Sequence, residues 1–169
     1  MNQRDRDAFE RLVATRSQSL LRTAYLLTGD AAMAEDLLQT ALAKMIPRWG
    51  RLRDPEAAEA YVRRVMTTTF LKWRRRLWRN EVPFDTLPDA PRPDAFGDAD
   101  DRDVLRRALA ALTPRQRAIV VLRFYEDLSE ERVAELLGCS VGTVKSTASR
   151  ALAQLRLNDA PAGGSEASA

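Results

Sequence analysis

Between Val82 and Asp101 the chain carries Pro83, Pro88, Pro91, Pro93 and Gly97. Proline fixes φ and donates no backbone hydrogen bond, so no helix crosses that stretch. On both sides apolar residues recur at the three-to-four spacing of amphipathic helices. The β-branched run Thr67–Thr69 lies inside such a helical period, and no strand pattern is convincing. The 169-residue chain is therefore expected to be all-α and divided in two. One small helical domain covers 1–81, a flexible acidic linker 82–100, a second helical domain 101–157, and a disordered tail 158–169. Halves of this size are marginal alone, because a short chain buries a small share of its surface.

The local signals place the helices. A first runs over about 5–28, with Phe9, Leu12, Val13, Leu20, Ala24 and Leu27 near one face and Gly29 as its stop. Asp30 suits the N-cap of a second over about 31–47, whose stripe is Ala34, Leu37, Leu38, Ala41, Leu42 and Met45. Glu35 and Asp36 sit in its first turns, where the helix dipole favours acids. Pro55 opens a third over about 55–80, with Val62, Val65, Met66, Thr69, Trp73 and Leu77 inward. Beyond the prolines, a short helix is expected over about 101–112. Thr113-Pro114-Arg115-Gln116 then forms a capping box that starts a helix over about 114–126, burying Ile119, Val120, Leu122 and in part Phe124.

Charge is distributed unevenly. Residues 1–59 are net neutral, 60–80 carry +7 with no acid, 81–101 carry −6, 102–157 carry +4 and 158–169 carry −2. Of the 27 basic residues only Lys44, Lys72 and Lys145 are lysine. Arginine offers a planar fork of donors to phosphates and base edges, although codon bias yields the same skew. There is no histidine and one cysteine, Cys139. Zinc sites, Ser-His-Asp and Cys-His chemistry are thereby excluded, a reducing cytoplasmic compartment fits, and neither catalytic nor metal-binding residues nor a cofactor are expected. No signal peptide or membrane-spanning run is evident. The acidic linker is either a solvated tether or a nucleic-acid mimic folding back on 60–80.

The most specific segment is LSEERVAELLGCSVGTVKSTASRALAQLR. Ser129 caps one helix to about Leu137, Gly138 suits the left-handed residue that ends it, and Ser140 caps another over about 141–157. Ala134 is small where the helices cross, and Val144 plugs into the first. This is a helix-turn-helix, whose second helix enters the major groove of DNA by its N-terminal part. Its expected outward positions are Val141, Gly142, Thr143, Lys145, Ser146, Ser149 and Arg150, with an ordinary solvated hairpin as the alternative. In 60–80, Arg63, Arg64, Lys72, Arg74, Arg75, Arg76 and Arg79 interleave with Tyr61, Phe70, Trp73 and Trp78. Such a helix suits a nucleic-acid backbone with bases stacked on the rings, a plain structural role, or a membrane surface.

In the order of its parts the chain resembles the extracytoplasmic-function sigma factors of bacterial RNA polymerase, over about 7–157. Ala34-Glu35-Asp36-Leu37-Leu38-Gln39 is similar to the family's polymerase-binding helix, which implies Asp36, Leu37 and Gln39 as core contacts. Tyr61-Val62-Arg63-Arg64-Val65 through Trp73-Arg74-Arg75-Arg76 resembles the segment that melts and reads the −10 element, which implies Arg63, Arg64, Thr68, Trp73, Arg74 and Arg75. Leu112-Thr113-Pro114-Arg115-Gln116-Arg117 through Gly142-Thr143-Val144-Lys145-Ser146 resembles the reader of the −35 duplex, which implies Thr143, Lys145, Ser146, Ser149 and Arg150. Thr40, Thr68 and Lys72 stand where the family commonly has Glu, Asn and an acid, and WRRRLWR resembles the SigE-like actinobacterial subgroup. The implied function is promoter-specific initiation without catalysis by the chain itself. The implied partners are polymerase core and promoter DNA, with an anti-sigma factor as a further candidate and no membrane insertion. A stand-alone DNA-binding regulator and a decoy for an anti-sigma partner are the competing readings.

Overall fold

The computed structural model describes residues 1–52, 54–78 and 99–159. The expected linker and the tail beyond Asp159 lie outside the described residues. Seven α-helices are described: α1 Gln3–Thr28, α2 Ala31–Met45, α3 Pro55–Trp78, α4 Ala99–Ala110, α5 Pro114–Val120, α6 Glu130–Leu137 and α7 Val141–Asp159. A 3₁₀ segment, Ile46–Arg51, follows α2, and a π turn, Val121–Tyr125, follows α5. No strand occurs among the described residues.

The caps form as the local chemistry dictates. Asn2 accepts from the Asp5 N–H, and Gly29 closes α1 in the left-handed region at φ 72°. Asp30 accepts from the Met33 N–H at 2.8 Å. The Thr113 hydroxyl accepts from Gln116 N–H while the Gln116 side chain accepts from Thr113 N–H, so the capping box is complete. Ser129 accepts from Arg132 N–H, and Gly138 ends α6 at φ 66°. Two local expectations need correction. Glu35 and Asp36 lie beyond the first turn of α2, which holds no acid. The helix expected over 114–126 keeps α geometry only to Val120. The π turn advances the register by one residue, so Phe124 stands 52% exposed instead of partly buried.

α1, α2 and α3 pack on one another, α3 burying the row Ala58, Val62, Met66 and Phe70 and α2 its whole expected stripe. A separate small core belongs to the helix-turn-helix: Ile119, Leu122, Val133, Ala134, Val144 and Ala148. The two halves are also joined. Leu109, Leu112, Ala118, Val120, Val121 and Ala151 belong to the same buried cluster as the core of α1–α3. The last turns of α1 show why. Thr23, Ala24, Tyr25, Leu26 and Leu27 are all buried, five successive residues that cannot share one helix face. Their outward side is covered by α5 and the π turn.

Candidate functional site

Three surfaces gather the residues singled out by the sequence. On α7, Lys145, Ser146, Ser149 and Arg150 are exposed and Thr143 is half-buried. Val144, Ala148 and Ala151, on the opposite side, are in the cores. The Ser140 hydroxyl accepts from the Thr143 N–H at 3.1 Å and lies 2.9 Å from the Thr143 hydroxyl, tying down the first turn. The Lys145 ammonium lies 3.7 Å from a Glu130 carboxylate oxygen and is otherwise in solvent. The helix therefore presents short hydroxyl side chains at its N-terminal end and one long guanidinium further along, a shape that fits a groove. Val141 departs from expectation. It is half-buried and packs against the helix-turn-helix core.

On α3, Arg64, Lys72, Arg74, Arg75 and Arg76 are exposed, and no acid separates them. Thr68 is half-buried, its hydroxyl donating to the Arg64 and Val65 carbonyl oxygens. The aromatic side chains are less available than the interleaved pattern suggested. Phe70 is 1% exposed and belongs to the core, because it continues the i, i+4 row from Ala58 through Met66. Trp73 is half-buried on the same core. Tyr61 lies under the Arg48 guanidinium, 5.5 Å from the ring centre, and its hydroxyl reaches the Lys44 carbonyl oxygen at 3.5 Å. Trp78 ends α3, at the margin of the described residues.

Arg63 is not free. Its Nη2 donates to Glu59 Oε1 at 2.9 Å, and its Nε lies 2.8 Å from Glu126 Oε2, an ion pair off the line of a hydrogen bond. On α2, Asp36 and Gln39 are exposed and share a face. Leu37 is fully buried, so it anchors the helix and is withdrawn from the contact surface.

Sequence reasoning missed the residues that join the halves. Arg117 is 7% exposed, and its Nε donates to the Leu26 carbonyl oxygen at 2.9 Å. Its Nη2 has no acceptor and lies where a Cβ on Gly29 would come within 2.9 Å. Burial, with the charges of Arg74 and Arg106, pushes this guanidinium down to about 10, so it stays protonated at neutral pH. Glu126 accepts from the Thr23 hydroxyl and pairs with Arg63. Nothing in the local pattern marks either residue, because both partners come from the other half of the chain.

Among the described residues no group of His, Cys, Asp and Glu is placed to hold a metal, and no helix is long and apolar enough to cross a membrane.

Residues 12–80 match the family described as Sigma-70 region 2, and residues 102–155 match Sigma-70, region 4. The chain is 49% identical to the RNA polymerase sigma-E factor of Streptomyces coelicolor over 148 residues, covering 88% of this chain and 84% of the relative. It is equally close, 49% over 148 residues, to that of Streptomyces antibioticus, with 88% and 82% covered. Among solved structures it is similar to the sigma factor RpoE from Bartonella quintana, solved in complex with the anti-sigma factor NepR. The TM-score is 0.70 at 26% identity, with 90% of this chain and 98% of that one covered. The chain thus belongs to the sigma-70 family of RNA polymerase sigma factors, in its extracytoplasmic-function group and the SigE-like actinobacterial subgroup, and directs promoter-specific transcription initiation.

Proposed function

We propose that the three surfaces divide the work of initiation. Residues 1–81 bind polymerase and read the −10 element, and residues 101–157 read the −35 element as duplex. Thr143, Lys145, Ser146, Ser149 and Arg150 face the major groove. Arg150 and Lys145 supply charge-assisted donors to guanine edges or phosphates, and the serines reach base edges or backbone. Thr68, Trp73, Arg64, Arg74 and Arg75 hold the separated −10 strand, joined by Arg63 when its acids release it. Strand separation is then a matter of binding: cations and a ring that favour unpaired bases over paired ones stabilise the melted state. Asp36 and Gln39 make the polar contact with polymerase core. The chain contributes binding energy and no chemistry of its own, and works in the cytoplasm where polymerase is. An anti-sigma factor is a natural partner, as with the Bartonella relative.

The observation that carries this reading is the two-sidedness of α7. Val144, Ala148 and Ala151 lock one side while Lys145, Ser146, Ser149 and Arg150 stand exposed on the other. The test is reconstitution of the full chain with core polymerase on a promoter library. Transcripts should start from a subset sharing −35 and −10 sequences. Arg150→Ala should change the shared −35 sequence, and Arg74→Ala with Arg75→Ala should leave it intact while slowing opening. Binding to DNA without association with core would instead favour a stand-alone regulator.

A further inference from the structure

We propose that a cleft between α3 and α6 binds the terminal phosphoryl group of a small phosphate ester, or phosphate itself, a ligand beyond the polymerase and DNA contacts above. Its volume is about 70 Å³, and it is lined by Arg63 and Arg64 from α3 and by Arg132 and Glu135 from α6. Ala60, Leu128 and Leu136 supply an apolar wall. Three guanidiniums thus meet one carboxylate, and they are unequally committed. Arg63 is held by two acids, its Nη2 donating to Glu59 at 2.9 Å and its Nε lying 2.8 Å from Glu126. Arg132 donates one N–H to Glu135 at 2.7 Å, and a guanidinium carries five. Arg64 is exposed and makes no ion pair among the described residues. Neither Arg132 nor Glu135 belongs to the DNA-reading or polymerase-binding positions proposed above.

Glu135 shows what the cleft accepts. Its oxygen occupies a charge-assisted bond of the kind that phosphate oxygens make with arginine. That pair is weakly held, because the Arg132 and Glu135 side chains are 62% and 68% exposed. A phosphoryl dianion brings about twice the charge and three acceptor oxygens. It therefore displaces the carboxylate from Arg132 and engages Arg64 on the α3 wall, each guanidinium offering a planar fork of donors. The apolar wall lowers the local dielectric and strengthens both contacts. Size points to the same class. A volume of about 70 Å³ accommodates roughly five to seven waters, which is the room taken by one phosphorus and its four oxygens. A phosphodiester, carrying a substituent on either side, has to thread a chain through a cleft walled by α3, Leu128 and α6. The terminal group of a monoester enters from one side.

The test is ligand-observed phosphorus NMR on the full chain in chloride buffer. The probes are methyl phosphate, inorganic phosphate and, as the diester, dimethyl phosphate. We expect saturable binding of methyl phosphate, at least threefold tighter than that of dimethyl phosphate. Arg132→Met should weaken it at least threefold, and Glu135→Gln, which removes the competing charge, should tighten it at least twofold. Both positions are exposed, so these variants keep the fold. Arg156→Met, at an exposed α7 arginine outside the cleft, makes the same change in net charge as Arg132→Met and should leave the affinity unchanged. Inorganic phosphate binding as tightly as methyl phosphate identifies the free ion as the ligand, and weaker binding identifies an ester. Three results overturn the proposal: dimethyl phosphate binding as tightly as methyl phosphate, no saturation by methyl phosphate up to about 10 mM, or equal losses for Arg132→Met and Arg156→Met.

Discussion

Val144→Ala tests the physical core of the DNA-reading half. Val144 is fully buried among Ile119, Leu122, Val133, Ala134 and Ala148, the cluster that holds α7 across α6. The change deletes two methyl groups, worth ~0.8 kcal/mol each by transfer from water. The gap left behind adds a cavity penalty, because the neighbours relax only in part. Five cluster partners on four elements, two of them alanines that cannot swing inward, leave little scope for collapse, so the total should be about 2–3 kcal/mol. Ser149→Ala, on the exposed side of the same helix, should change stability by less than about 0.5 kcal/mol. Urea denaturation of the full chain, followed by circular dichroism, gives both values from the shift of the midpoint at constant slope. The two variants should split oppositely in duplex binding. Val144→Ala should bind nearly normally well below its melting temperature, whereas Ser149→Ala should bind more weakly while equally stable. A loss below ~1 kcal/mol for Val144→Ala would refute the packing assigned to it, and with it the placement of the reading face on the opposite side.

Further outcomes follow from the other surfaces. Asp36→Arg should weaken association with core polymerase at least several-fold while the helical spectrum is unchanged, measured by co-migration or surface binding. Arg150→Ala should cost about 1–3 kcal/mol and relax preference at one −35 position if it reads a guanine. If it touches only phosphate, affinity should fall evenly across sequences and the salt slope by about one. Arg117→Met should change stability in urea only slightly, since it removes a buried charge that lacks a full set of acceptors but also the donor to the buried Leu26 carbonyl oxygen. The pH dependence has a definite sign. Arg117, pushed down to about 10, holds fewer protons in the folded than in the unfolded chain once the pH exceeds about 10. Its burial penalty is full at neutral pH and eases as pH rises past 10, so wild type should gain on Arg117→Met only at alkaline pH. Neutralising Asp85, Asp89, Asp94 and Asp98 should raise DNA binding by the free chain if the acidic linker screens α3, and leave it unchanged if it only tethers.

Much of this protein was legible one helix at a time. The caps at Asp30, Thr113, Ser129 and Gly138, the stripe of α2 and the helix-turn-helix all depend on residues within a few positions of one another. Backbone geometry then does the specifying. The exposed hydroxyls and Arg150 of α7 were legible for the same reason, since a helix with one apolar side must present the other. Local patterning stopped being sufficient where two faces competed. Phe70 suited a base-stacking row as well as a core row, and the packing of α3 against α2 chose the core. Leu37 stood among exposed contact candidates and also on the apolar stripe, and burial resolved it. Only the tertiary structure decided how the halves meet. Arg117 finds Leu26 across 91 residues and Glu126 finds Thr23 across 103. No periodicity encodes such pairs. Their energy exists only when two finished surfaces are brought together, and a carboxylate destined for that joint looks in sequence like any solvated acid.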